Sequence, residues 1–196
     1  LQEILVKRGL AANVMPAMRY WHPRAAEAAT RLAERQVRRV VALSMYPAYS
    51  HATTASSAVD FQRAMKLFLP RVPLAMVDRW PDLNAYVAFL AQRVTAALER
   101  LGPAQSAKTA VLFTAHSLPA RILEMGDPYD SQLRQTAALL AEELGLPQDR
   151  WAFCYQSAGQ SPEPWLGPAI DQCIPELIQA GHQNLLVVPV GFVCDH

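Results

Sequence analysis

The stretch that decides the fold is TAVLFTAHSLP, residues 109–119. Its first part, Thr109–Thr114, is a short run of apolar and β-branched residues. A run of this length with no polar alternation predicts a strand buried on both faces, which is typical of a parallel sheet. The strand is followed by Ala115, by His116 and by a loop that ends at Pro119.

Similar runs recur on either side of this strand. They are Arg39–Leu43, Val72–Val77, Trp151–Tyr155 and Asn184–Val190. Helical patterns separate them, at Ala25–Arg35, Ala55–Leu69, Asn84–Leu101, Tyr129–Leu144 and Ala169–Ala180. Strands that alternate with helices predict parallel sheets covered by helices on both faces. We also expect a helix at Leu1–Arg8 and a further strand at Met15–Tyr20.

A break in this alternation predicts two domains. The stretch Asp78–Asp82, which contains Trp80 and Pro81, fits neither a strand nor a helix. We therefore expect residues 1–82 to form part of a first α/β domain and residues 83–196 to form a second one. The predicted fold class is α/β, with two Rossmann-like domains whose parallel sheets are flanked by helices.

Composition excludes several classes of protein. The chain has 196 residues, of which 52% are hydrophobic, and its net charge of +1 gives no general attraction to nucleic acid. The apolar stretch from Leu185 to Cys194 is too short to span a bilayer, and no secretory signal opens the sequence. Three cysteines without a CxxC pair indicate free thiols, so we expect a reducing, cytoplasmic setting. Nucleotide binding and serine hydrolysis lose support because the sequence has no GxGxxG, Walker or GxSxG motif.

Two histidines follow strands of the second predicted domain. His116 comes after Thr109–Thr114, and His196 comes shortly after Asn184–Val190. Ligands of open parallel sheets collect at the carboxyl ends of the strands, where two imidazoles could bind a metal or move protons. A lone histidine is more often structural, and it is the shared edge that favours a functional pair.

The loop after Arg39–Leu43 is rich in hydroxyl groups and leads into a helix. The hydroxyl-bearing residues are Tyr46, Tyr49, Ser50, Thr53, Thr54, Ser56 and Ser57. A helix start of this kind can bind an anion, although ordinary N-capping is the more frequent use. Arg19 adds a cation, and Trp21, Trp80 and Trp165 add flat apolar surface that is more often core.

Eight motifs, taken in order and spacing, resemble the ferrochelatase family along essentially the whole chain. They are MRYWHP at 18–23, YPAYS at 46–50, DRWP at 78–81, TAHSLP at 114–119, GDPY at 126–129, YQS at 155–157, PWLGP at 164–168 and VPVGFVCDH at 188–196. The resemblance implies two doubly wound domains with a porphyrin between them, and insertion of Fe²⁺ with release of two protons. The family carries an N-terminal strand and a porphyrin-covering loop before these motifs, and a segment with a catalytic glutamate after the DH pair. The resemblance therefore leads us to expect further segments on both sides of the sequence given.

The resemblance also assigns roles to residues. His116 matches the family's catalytic, metal-handling histidine, and a neutral imidazole can both accept a pyrrole proton and ligate Fe²⁺. We expect His196 to be a second metal ligand, oriented by Asp195. Two sets of residues are expected to bind the porphyrin. The aromatic walls of Tyr46 and Trp80 would hold the ring, and the propionates would contact Arg19, Tyr20, Ser50 and Thr53.

We expect no resident cofactor. Some family members hold an iron–sulfur cluster with cysteines, one of which would fall at His51 while the others belong to a C-terminal tail outside the sequence given. No cluster is therefore expected in this part of the protein. Two alternatives stay open: another tetrapyrrole chelatase, such as one that inserts cobalt, and a non-catalytic porphyrin- or haem-binding module. The aromatic motifs at 46–50 and 164–168 favour ferrochelatase. Peripheral membrane contact, oligomeric state and the choice between protoporphyrin and coproporphyrin are left open.

Overall fold

Two compact units make up the chain, whose structure is a computed structural model that describes residues 1–193. The first unit comprises Leu1–Leu43 and Thr53–Val77, and the second comprises Ser44–Ala52 and the chain from Asp78 on. The last division between the units lies at 77/78, and the loop 44–52 belongs to the second unit. Two backbone carbonyls join this loop to Trp80, since Ser44 accepts a hydrogen bond from the Trp80 indole and Pro47 accepts one from the Trp80 N–H, both at 2.8 Å.

Seven helices and five strands are described in residues 1–193. The helices are α1 (Gln2–Lys7), α2 (Ala25–Glu34), α3 (Thr54–Phe68), α4 (Asn84–Leu101), α5 (Pro103–Ser106), α6 (Tyr129–Glu143) and α7 (Ile170–Gln179). The strands are β1 (Val40–Leu43), β2 (Leu74–Val77), β3 (Thr109–His116), β4 (Trp151–Gln156) and β5 (Asn184–Pro189). Short 3₁₀ turns occupy Ala120–Ile122 and Gln148–Arg150. None of the helices in this part of the chain is both long enough and apolar enough to cross a membrane.

A two-stranded parallel sheet lies at the centre of the first unit. β1 and β2 pair in register from Val40 and Leu74 to Leu43 and Val77. Helices α2 and α3 pack against one face, where Leu32 and Met65 are buried with Val40. The opposite face exposes Val41, Leu43 and Val77. Within the described residues this sheet is therefore covered by helices on one face only, whereas the alternating pattern led us to expect two covered faces.

The expected strand at Met15–Tyr20 is wrong. This segment is a loop that contains one isolated bridge, between Met18 and Arg24. The Met18 N–H donates to the Pro23 carbonyl at 2.8 Å, so the hydrogen bond that a sheet neighbour would take is used within the loop. Pro16 lacks an N–H group, and a strand inside a sheet needs one.

The second unit is built on a three-stranded parallel sheet with the order β4-β3-β5. The central strand β3 is buried at every residue except His116, which confirms the prediction from its sequence. Val111, Phe113 and Ala115 pack with α4 and α6 in the largest hydrophobic cluster. Ala110 and Leu112 lie in a second cluster that includes Cys173 and Leu177 of α7. Helices therefore cover this sheet on both faces.

One buried polar contact closes the large cluster near the end of β5. The Tyr86 hydroxyl of α4 donates to the Val190 carbonyl at 2.8 Å. Burial raises the pKa of Tyr86 to about 12. Because the phenol ionises near pH 10 in the unfolded chain, the stability that this group contributes is present below pH 10 and is lost as the pH rises to 12.

We therefore expect Tyr86→Phe to reduce the alkaline loss of stability. At pH 11 the wild-type protein should have lost about 1.4 kcal/mol more of its free energy of unfolding than the variant, both taken relative to pH 9. Urea unfolding at the two pH values measures the difference. Equal losses in the two proteins would show that Tyr86 does not ionise on unfolding as expected.

Candidate active site

His116 is held firmly at the carboxyl end of β3. Its backbone carbonyl accepts a hydrogen bond from the Tyr129 hydroxyl at 3.0 Å. The next residue, Ser117, donates its N–H to the Gln156 carbonyl at 2.8 Å and its hydroxyl to the Leu166 carbonyl at 2.9 Å. The imidazole is half-buried and makes no hydrogen bond within residues 1–193. A rigid backbone thus presents ring nitrogens that are free to bind a proton or a metal.

The neighbouring strands bring two further segments to this edge. His116 is in register with Gln156 of β4, so their side chains lie on the same face of the sheet. Beyond β5, Gly191 passes so close to β3 that a Cβ atom on it would lie 3.1 Å from the Ala115 Cβ. The expected metal ligand His196 and its partner Asp195 follow a few residues later and lie outside the described residues.

Trp165 lies beside the loop that follows His116. Pro119 and Trp165 form an antiparallel bridge, and the Leu166 N–H donates to the Leu118 carbonyl at 2.9 Å. The indole ring lies against Gly159, where any Cβ atom would be only 2.5 Å from it. The sequence pattern identified Trp165 as flat apolar surface but did not assign it to the site. The PWLGP motif at residues 164–168 is the sequence signal that could have assigned Trp165 to the site.

The loop 44–52 carries Tyr46, which is 51% exposed. Ser50 and His51 are bonded to the carboxylate of Asp127, and the Tyr49 N–H donates to the Gln132 side chain at 2.8 Å. The loop is therefore fixed to the start of α6 while the Tyr46 ring stays accessible.

Two expected porphyrin ligands have structural contacts in this loop region. Ser50 is fully buried, and its hydroxyl donates to Asp127 at 2.9 Å, so this hydroxyl is bonded within the protein. Trp80 is half-buried, donates its indole N–H to Ser44 and packs its ring edge-on against Tyr86, with 5.0 Å between centroids. Both side chains hold the loop and the core together, which is a role that the motifs alone do not reveal.

The other three expected porphyrin ligands belong to the first unit. The Arg19 guanidinium lies 5.2 Å from the Tyr20 ring centroid and 3.9 Å from Asp60, and its Nε is buried without a partner in the described residues. Tyr20 is 77% exposed. Thr53 is the N-cap residue of α3, but its hydroxyl makes no capping bond. The Arg19 Nε and the Thr53 hydroxyl thus have no hydrogen-bond role in capping or pairing within the described residues.

Tyr129, whose hydroxyl is bonded to the His116 carbonyl, is a buried phenol. Burial raises the pKa of Tyr129, and Asp127 and Tyr46 add to the rise. Within residues 1–193, no three His, Cys, Asp or Glu side chains are grouped so as to hold a metal ion.

The sequence model of the ferrochelatase family matches residues 1–196. A protein named ferrochelatase from Deinococcus radiodurans is 32% identical over 194 residues, which are 99% of this chain and 61% of the relative. The ferrochelatase of Thermus thermophilus is 37% identical over 94% of this chain and 57% of its own length. That of Herpetosiphon aurantiacus is 36% identical over 91% and 58%.

The chain thus spans about three fifths of the length of these relatives. Within that span the family match covers both units, from the aromatic loop around Tyr20 to the strand end that carries His116. A family match over the whole chain and relatives at this level of identity agree with the eight motifs and with the parallel α/β architecture. The chain belongs to the ferrochelatase family.

Proposed function

We propose that the protein of which this chain is a part inserts Fe²⁺ into a porphyrin and releases two protons. The observation that carries the proposal is the setting of His116. Its ring nitrogens have no partner in the described residues, and its backbone is bonded on both sides. Trp165 lies beside the loop that follows it, and the Tyr46 loop is bonded to Asp127, two residues before the Tyr129 that contacts the His116 carbonyl. Membership of the ferrochelatase family supports the same reaction.

The chemistry requires a proton acceptor near the ring nitrogens. A free porphyrin carries two pyrrole N–H groups, and both protons must leave as the metal enters. The neutral imidazole of His116 can take a proton, and in its unprotonated form the same imidazole can ligate Fe²⁺. Because iron keeps its oxidation state, the reaction needs no redox cofactor, and we propose that neither a cofactor nor an iron–sulfur cluster takes part.

Aromatic surface and free polar groups support porphyrin binding. Tyr46 and Trp165 offer ring surface at the His116 edge, and Trp80 stiffens the loop that carries Tyr46. In the first unit, Arg19 and Thr53 supply a cation and a hydroxyl suited to propionates. A flat ring held on one face by rigid aromatics can be distorted so that its nitrogen lone pairs become accessible to the metal.

We also propose a reducing, cytoplasmic setting. Cys154 and Cys173 are free thiols buried in one hydrophobic cluster. Burial raises the pKa of Cys154 to about 12, and Cys173 adds to the rise, so the thiol stays protonated at neutral pH. Such a pair has a packing role, and reducing conditions also keep the iron in the ferrous state.

Replacing His116 tests the catalytic role. In the complete protein, His116→Ala should lower the rate of Fe²⁺ insertion by about 100- to 10,000-fold, because it removes a proton acceptor and a metal ligand together. Porphyrin affinity should change little, since the ring is held by other side chains. The measurements are loss of porphyrin fluorescence during turnover and fluorescence titration of binding.

The control is His182→Ala. His182 precedes β5, at the amino ends of the strands, whereas His116 lies at their carboxyl ends. Its ring bonds to the Asp149 carbonyl at 2.7 Å. Turnover should survive this change. Near wild-type turnover in His116→Ala would make His116 a packing residue. Porphyrin binding without insertion in the wild-type protein would favour the binding-module alternative, and selective insertion of cobalt would favour another chelatase.

Replacing Tyr46 tests the porphyrin surface. Tyr46→Ala should weaken porphyrin binding about tenfold, because one aromatic wall is lost, and should leave the melting temperature nearly unchanged because the ring is half-exposed. Phe89→Ala is the control, since Phe89 is 56% exposed on α4. A lowered melting temperature with unchanged porphyrin affinity would instead assign Tyr46 to the fold.

A further inference from the structure

The motif Gly126-Asp127-Pro128-Tyr129 has no part in the reaction proposed above, yet it contacts two elements of the site. We propose that Asp127 and Tyr129 are positioning residues that hold the Tyr46 loop and the His116 backbone at a fixed separation. This inference rests on the proposed function, because it concerns how the same site meets its porphyrin.

The Asp127 carboxylate is fully buried, and both its oxygens accept hydrogen bonds. Oδ2 accepts the Ser50 hydroxyl at 2.9 Å and the His51 N–H at 2.6 Å, while Oδ1 accepts the Tyr129 N–H at 2.9 Å. The His51 ring nitrogen is also 3.5 Å from Oδ2. No lysine or arginine of residues 1–193 forms an ion pair with Asp127, so these hydrogen bonds must stabilise the charge. Charge-assisted bonds of this kind are stronger than neutral ones.

Tyr129 continues the connection to His116. It is 9% exposed and packs in the large cluster of the second unit. Its hydroxyl donates to the His116 carbonyl at 3.0 Å, which fixes the backbone from which the imidazole projects. Asp127, just before α6, thus bonds to the loop 44–52, and Tyr129, the first residue of α6, bonds to the end of β3. Only Pro128 separates the two residues.

A shared anchor matters because chelation depends on distance. A porphyrin that lies against Tyr46 must bring its nitrogens within reach of the His116 imidazole. A misplacement of about 1 Å can cost about 100-fold in rate. Asp127 sets the position of one contact surface and Tyr129 the position of the other, so their losses should affect different kinetic constants.

Tyr129→Phe is the sharpest test, because it removes one hydroxyl and keeps the ring. In the complete protein kcat for Fe²⁺ insertion should fall about tenfold while KM for porphyrin stays within about twofold. The matched control is Tyr155→Phe. Tyr155 is buried in the same cluster, but its hydroxyl bonds to Asp130 at 2.8 Å and not to the His116 carbonyl. It should lose stability without loss of kcat. Equal kcat values in the two variants would overturn the proposal.

Asp127→Asn should change KM more than kcat, which is the opposite of the effect expected for Tyr129→Phe. The amide oxygen of the variant can still accept the Tyr129 N–H. Its NH₂ group, however, would face the His51 N–H, and because both groups are donors the hydrogen bond that holds the loop 44–52 would be lost. KM for porphyrin should rise about tenfold, with a smaller change in kcat. Asp149→Asn, at an exposed position, is the control. If Asp127→Asn does not fold, Ser50→Ala removes one donor to Oδ2, and it should raise KM in the same direction. An unchanged KM in the folded variant would make the Asp127 contacts purely structural.

A spectroscopic measurement separates this inference from the proposed function. In histidine-labelled protein, the ring signals of His116 are identified by their loss in His116→Ala. Tyr129→Phe should shift them, and Tyr155→Phe should not. If the wild-type protein inserts no metal but this pattern holds, the proposed function fails and the positioning role stands. If His116 signals are the same in both tyrosine variants, the positioning role fails whatever the activity.

Discussion

Burial of the central strand β3 is the constraint on which the second unit depends. Every residue from Thr109 to Ala115 is buried, and neighbours pair with the strand on both edges. A strand in this position has little freedom to move, because any shift would break ladders on two sides and disturb packing on two faces. Its last residue is His116. The side chain proposed as catalytic is therefore attached to a strand that is paired on both edges and packed on both faces.

The polar contacts around this strand end extend the same rigidity to the surface. Ser117 ties the chain to β4 and to the segment before Gly167, and Tyr129 ties it to α6. Each bond uses a backbone carbonyl that would otherwise be unsatisfied where the sheet ends. The edge is thus preorganised without using the imidazole itself. Preorganisation of this kind lowers the cost of reaching a reactive geometry when the ligand binds.

Much of this architecture could be predicted from the sequence, for a clear physical reason. Apolar runs such as Thr109–Thr114 must be buried, and their alternation with amphipathic helices leaves few possible folds. The placement of His116 at a strand end followed directly. The segment Met15–Tyr20 was misassigned because its apolar residues serve a local loop. The roles of Ser50, Trp80 and Asp127 could not be predicted, since each depends on a partner distant in sequence that only the folded chain brings close.

The assignment of the loop 44–52 to the second unit has a consequence for the order of folding. The loop precedes its partners by 77 residues at Asp127 and by 83 at Gln132. During synthesis the loop 44–52 can make these contacts only after α6 has been synthesised. The strands β1 and β2, which lie on either side of the loop in the sequence, can pair before that. Contacts so distant in sequence form late, since a long loop must close first. The contacts that fix the loop 44–52 are thus expected to form after β1 and β2 have paired.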